Sequence, residues 1–186
     1  MNHQHIHVQE AKTTDLAVFF EYLGQLIKEN AAHDAITFQP QNSEQTTVSE
    51  ELKHRFIEGL DTQYGHDEWR RLWLIKSENN DILAHLDLRA HGGEYLHHRV
   101  LLGMGVAQAY RRRGFADKLI EKVLSFCRHS DAIDWVDLAV MEGNEKALAL
   151  YQKHGFVITE RLDDVYRIDG VKYGETRMTI KVAEGK

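Results

Sequence analysis

Apolar residues recur with two periodicities along the chain, and the switches between them mark its elements. Residues 5–9 (HIHVQ) alternate polar and apolar, which predicts a short strand. Thr13, Thr14 and Asp15 supply capping chemistry before Leu16, Phe19, Phe20, Leu23, Leu26 and Ile27, whose spacing of three and four puts them on one helix face. The polar stretch 33–49 holds the sole proline, Pro40, and too few large apolar residues for a core element, so it reads as a long surface loop. Thr47 and Glu50 fit a capping box that opens a second helix carrying Leu52, Phe56, Ile57 and Leu60, with Gly65 at its end. Residues 72–76 and 82–88 are strands around a turn at 78–81, and the connection 91–94 leads into the apolar run 100–107.

From there strands and helices alternate. Ala116, Leu119, Ile120, Val123, Leu124 and Cys127 share a helix face, 135–140 is a strand, and Ala147, Leu150, Tyr151 and His154 share another helix face. Strands joined by crossover helices run parallel, so the class is α/β, and 156–160 and 172–182 close the sheet. Length fits one domain, with a core of about residues 5–182 and no linker to divide it.

Composition narrows the function classes. A net charge of −6 disfavours broad attraction to nucleic acid or an anionic membrane, and Arg111, Arg112 and Arg113 are the one large basic cluster. Cys127 is alone on an apolar helix face and reads as a small buried hydrophobe. No apolar run approaches the ~18 residues of a membrane span, and the start has no secretory signal pattern, so the expected location is cytoplasmic. His3, His5 and His7 alternate, but no cysteine or carboxylate sits at ligand spacing, and no metal is expected.

The chemistry concentrates in residues 106–120, VAQAYRRRGFADKLI, where an apolar strand runs into three arginines and a glycine before an amphipathic helix. A helix start offers unpaired N–H groups and a partial positive charge, glycine admits close backbone approach, and arginines add charge-assisted bonds. These are the requirements for gripping a pyrophosphate.

The spacing Arg111-x-x-Gly114-x-Ala116 resembles the pyrophosphate signature of the GNAT superfamily of N-acetyltransferases, and Asn144-x-x-Ala147-x-x-x-Tyr151-x-x-x-Gly155-Phe156 resembles its second landmark. The order of elements over nearly the whole chain is also similar. The resemblance implies a mixed central sheet with flanking helices, whose fourth and fifth strands splay to admit the pantetheine arm of acetyl-CoA. It further implies that Val106 and Ala107 pair with that arm, that Arg111, Arg112, Arg113, Gly114, Phe115 and Ala116 hold the pyrophosphate, and that Tyr151 protonates the departing thiolate. Arg112 departs from the commonest pattern, which has glycine there and a more permissive backbone. Asn144 is a helix N-cap, a contact to the cofactor arm, or both.

The general base stays open. Many superfamily members carry a glutamate on the fourth strand, whereas residues 100–107 contain no carboxylate. Glu94, His97, His98 and Glu142 lie nearby, each more plausible as a solvated surface residue than as a base. The resemblance then implies direct acetyl transfer to a primary amine of a small molecule, amino acid or peptide, read by 33–49, the second helix and 91–99. The alternatives are a CoA-binding sensor that has lost catalysis and a nucleic-acid module built on Arg111 to Arg113. Oligomeric state is not legible.

Overall fold

The computed structural model describes residues 7–31, 40 and 44–183. It contains one seven-stranded sheet: β1 (Val8–Glu10), β2 (Arg70–Lys76), β3 (Ile82–Ala90), β4 (Arg99–Val106), β5 (Trp135–Met141), β6 (Val157–Ile168) and β7 (Val171–Lys181), in the order β1-β2-β3-β4-β5-β7-β6. The helices are α1 (Leu16–Ala31), α2 (Glu50–Asp61), α3 (Phe115–Arg128) and α4 (Glu145–Lys153). His3, His5 and most of the 33–49 loop lie outside the described residues.

Among the described residues, each face of the sheet carries two α-helices. Phe19, Leu23, Leu26 and Ile27 of α1 and Phe56 of α2 pack on Leu72, Leu74 and Ile82. On the other face Leu119, Ile120, Val123 and Cys127 of α3, with Leu148 and Tyr151 of α4, pack on Trp73, Leu86, Val100, Val136 and Leu138. These are the faces that the three-and-four spacing marks out, since buried side chains on a helix must form one stripe.

Several expectations change. The N-cap of α2 is Ser49, whose Oγ accepts the Leu52 N–H at 3.2 Å, so the Thr47–Glu50 box does not form. The helix closes at Thr62, before Gly65, through the Thr62 N–H to the Glu58 carbonyl. Ile57 is 47% exposed, because Phe56 and Gly59 take the buried side of this short helix.

The crossover β4-α3-β5 gives the parallel pair expected from the alternation, and the other strand pairs of the described sheet are antiparallel. The second crossover, β5-α4-β6, skips a place, for β7 inserts between β5 and β6. β6 is twelve residues long, well beyond 156–160. Most of its side chains face solvent, so no apolar alternation betrays it. It returns into β7 through Asp169 and Gly170, both at positive φ (50° and 80°), the two-residue hairpin geometry that Asp-Gly favours.

Candidate active site

β4 and β5 pair only at Arg99 with Trp135, Val100 with Val136 and Leu101 with Asp137. Beyond these residues β4 continues to Val106 and β5 to Met141 without pairing, so the two strands form a V. Its closed end is tied by Asp137. Arg99 donates to both carboxylate oxygens at 2.8 and 2.5 Å, His91 Nε2 lies 2.8 Å away, and Thr179 Oγ1 donates at 2.6 Å. Burial pushes the Asp137 pKa up, but these bonds outweigh it and hold the group well below the usual carboxylate range.

The open edge of β4 follows from its pairing with β3. Ala107 donates its N–H to the Leu83 carbonyl at 3.0 Å. Hydrogen bonding alternates along an antiparallel ladder, so the backbone groups of Leu102, Met104 and Val106 turn away from β3, toward the gap. Ala107 thus spends its N–H on β3, and Met104 joins Val106 at the edge that the resemblance assigns to Val106 and Ala107.

At the mouth of the V, the chain makes a turn that leads into α3. Arg112 (φ 62°) and Gly114 (φ 77°) are both left-handed, and Gly114 is the N-cap of α3 with no side-chain cap bond. The first helical N–H groups, of Phe115, Ala116 and Asp117, therefore have no intrahelical partner. The first bond back to the cap is Lys118 N–H to the Gly114 carbonyl. Phe115 contributes only backbone here, since its side chain is buried and stacks on Tyr110 with centroids 6.4 Å apart.

The three arginines do not act alike. Arg111 is turned back: its Nε donates to the Val106 carbonyl at 3.1 Å, and its guanidinium lies 3.5 Å from Glu29 of α1. Glu29 also accepts the Gln108 N–H, fixing the turn to α1. Nothing in the sequence pattern singles out Glu29, a polar residue at the end of a long amphipathic helix. Arg113 lies over the Tyr110 ring at 5.1 Å. Arg112 is exposed.

Asn144 caps α4, its Oδ1 accepting the Ala147 N–H at 3.2 Å. Tyr151 is buried on α4, edge-on to Phe156 with centroids 5.6 Å apart. Its hydroxyl has no hydrogen-bond partner among the described residues, and burial pushes its pKa far upward, so it stays protonated. Gly155, at φ 92°, ends the helix and returns Phe156 to the core.

Glu94, His97 and His98 precede β4 at the closed end of the V, away from the turn. His97 is within 3.1 Å of Asp67. Glu142 stands at the open end of β5, where its carboxylate accepts the Gly174 N–H at 2.8 Å. Cys127 is buried, and burial raises its thiol pKa to about 12, so it is no nucleophile. Among the described residues no three His, Cys, Asp or Glu gather as a metal site.

Two polar residues overlooked in the sequence sit beside β4. His85 and Asp87 of β3 are 2% and 5% exposed and stand opposite Gly105 and Gly103 in register. His85 Nδ1 lies 3.2 Å from the Tyr22 hydroxyl, which donates to the Gly105 carbonyl at 2.9 Å. Burial lowers the His85 pKa to about 4. The signal was present in ILAHLDL, a buried strand interrupted by two titratable residues.

A model of the acetyltransferase (GNAT) family matches residues 33–156, well over half of the chain. N-alpha-acetyltransferase 50 of Danio rerio is 34% identical over 67 residues, covering 36% of this chain and 40% of that protein. The L-amino acid N-acetyltransferase AaaT of Escherichia coli (strain K12) is 26% identical over 85 residues, covering 46% and 52%. The matched segments thus span about half or less of these curated relatives. An acetyltransferase of the GNAT family from Streptococcus pneumoniae superposes with a TM-score of 0.78 at 20% identity, over 95% of this chain and 99% of that one. A phosphinothricin acetyltransferase from Sinorhizobium meliloti, solved in complex with AcCoA, gives 0.76 at 14% identity, over 98% and 91%. At such identities the solved structures speak to the fold alone. Fold, turn and family match agree: the chain belongs to the acetyltransferase (GNAT) family.

Proposed function

We propose that this protein moves the acetyl group of acetyl-CoA directly to a primary amine, with α-amino groups as preferred acceptors. The observation that carries the reading is the coincidence of two features at one end of the sheet. There the β4 edge at Met104 and Val106 is unpaired with β5, Arg111 taking only the Val106 carbonyl, and the N–H groups of residues 115–117, without intrahelical partners, start α3. Such a helix start suits a pyrophosphate. The edge suits the amides of a pantetheine arm, and its N–H groups suit a tetrahedral oxyanion in the splay.

Tyr151 is the proton donor to the leaving thiolate, being buried, protonated and without a partner for its hydroxyl among the described residues. Asn144 keeps its side-chain amide N–H groups for the cofactor arm while its Oδ1 caps α4. With Cys127 buried and protonated, transfer proceeds in a ternary complex with no acyl-enzyme.

Two considerations support α-amines. A free α-amino group has a pKa of about 7.7–8.0, against about 10.4 for lysine, so a useful fraction is neutral near pH 7. Two relatives are also named for N-alpha and L-amino acid acetylation. The deciding experiment follows CoA release over alaninamide, L-methionine, Nα-acetyl-lysine and spermidine, with acetyl-CoA binding measured by calorimetry. Turnover fastest on the first two is expected, and turnover confined to the last two would overturn the acceptor class. Binding without turnover on any amine would leave a CoA sensor, the reading favoured by a β4 that lacks a carboxylate.

A further inference from the structure

We propose that Asp87, carried on β3, is the general base that takes the proton of the attacking amine across Gly103 of β4. The assignment rests on the acetyl-transfer reading above.

β4 has the sequence RVLLGMGV, with glycine at the two positions past its last pair with β5 that face α1 and α2. An amine attacking an acetyl group held in the splay from that side crosses these glycines. Asp87 stands opposite Gly103 in the β3–β4 register. A Cβ at Gly103 would lie 2.7 Å from Asp87 Oδ1 and 3.0 Å from Arg89 Nη1, so this oxygen, with the Arg89 guanidinium beside it, borders the space a β4 side chain would fill. The carboxylate missing from β4 is thus supplied by the neighbouring strand, and Gly103 is the opening that lets it through.

The contacts of Asp87 leave the working atom free. Arg70 and Arg89 both approach Oδ2, at 3.5 and 3.4 Å, while Oδ1 has no donor among the described residues. Arg70 is itself buried and lies 4.0 Å above the Phe56 ring of α2. Two guanidinium groups at these distances orient the carboxylate on Oδ2, and a buried carboxylate oxygen without a donor is open to a partner from ligand or water. His85, two residues away, already uses Nδ1 on Tyr22.

An acceptor that enters as an ammonium first releases one proton to solvent; in the transfer step the neutral amine nitrogen bonds to the thioester carbon, and one of its remaining protons passes to Asp87 Oδ1. The C–S bond then breaks, the sulfur keeps the bonding pair and takes the Tyr151 hydroxyl proton, and solvent restores both side chains. Net products are the amide, CoA and one proton when the acceptor enters as an ammonium.

The test compares Asp87→Asn with wild type, using whichever of alaninamide, L-methionine, Nα-acetyl-lysine and spermidine wild type acetylates fastest. The charged and titratable groups around Asp87 are Arg70 on β2, His85 and Arg89 on β3, Tyr22 on α1, and Arg55 of α2 behind Arg70. None of these replaces the lost base. The variant should bind acetyl-CoA with wild-type affinity and lose about 10²-fold or more in kcat at pH 7. That deficit should shrink below tenfold by pH 9.5, as hydroxide takes the proton. Asp87→Ala/Gly103→Asp, which moves the carboxylate onto β4, should recover at least tenfold over Asp87→Ala.

A loss under tenfold at pH 7 would overturn the assignment, as would a pH-independent loss that the double variant fails to restore. If the unpaired Arg70 unfolds Asp87→Asn, then Arg70→Met/Asp87→Asn replaces it under the same criteria. Failure of all these variants to fold would make Asp87 a structural residue and overturn the base. A wild type that binds acetyl-CoA yet acetylates no amine would overturn the transferase reading instead.

Discussion

Arg99 and Asp137 form a two-bonded ion pair across the parallel strands β4 and β5, at 2.8 and 2.5 Å, and Asp137 belongs to the last residue pair before those strands part. The pair is the hinge of the V. It lets the strands diverge on one side because it fixes them on the other.

Asp137→Ala should therefore cost about 2–3 kcal/mol of unfolding free energy at pH 7, since Arg99 and Thr179 lose a charged acceptor in a partly buried setting. The folded-state pKa of Asp137 is depressed, so its contribution is fully present above the unfolded value of about 3.9 and is lost as pH falls through the folded value. Urea titrations should show a constant gap between wild type and variant above about pH 5, closing in stronger acid. A gap that widens on acidification would contradict this account.

The pyrophosphate turn predicts a contrast between two substitutions. Arg111→Ala should weaken acetyl-CoA binding by less than tenfold, because that guanidinium is already engaged by Val106 and Glu29. Gly114→Asp should abolish it, placing a negative charge beside the phosphates and a side chain on a φ of 77°. Calorimetry on both variants decides whether backbone N–H groups or side chains provide the grip.

Arg112 holds a left-handed conformation (φ 62°) that costs a non-glycine residue about 1–2 kcal/mol. Arg112→Gly removes this strain while making the unfolded chain more flexible, so stability should rise by up to about 1 kcal/mol with acetyl-CoA binding retained. Arg112→Val, β-branched at the same φ, should lose both stability and affinity. Melting temperatures with and without acetyl-CoA measure the pair.

Tyr151→Phe keeps the ring edge-on to Phe156 and deletes a buried hydroxyl that has no partner among the described residues. The melting temperature should be unchanged or higher, since no bond is lost and an unsatisfied group is removed. Meanwhile kcat should fall at least about 10²-fold with acetyl-CoA affinity nearly constant. Near wild-type kcat from pH 6 to 9 would make Tyr151 a packing residue.

Much of the fold was legible because the helix faces carry their burial in their spacing. Leu119, Ile120, Val123 and Cys127 are buried together, and the crossover from β4 to β5 is parallel as the alternation requires. β6 was mostly invisible, since solvent-facing residues leave no apolar alternation. Ser49 rather than Thr47 caps α2 because the choice between neighbouring hydroxyls depends on where the chain bends, which both residues permit locally.

The sequence by itself determined the turn that starts α3. Left-handed Gly114, the α3 start and the arginines are contiguous, and short-range sterics and helix-end chemistry need only neighbours in the chain. What tertiary structure decided was which groups are already taken. Arg111 is committed to Glu29 and Ala107 to Leu83, while Asp87 faces Gly103 with one oxygen lacking a donor among the described residues. These relations join residues 16 to 82 positions apart, through strand register and helix packing. Register fixes which side chain looks across which glycine, and it is set by the whole sheet rather than by any local run of sequence.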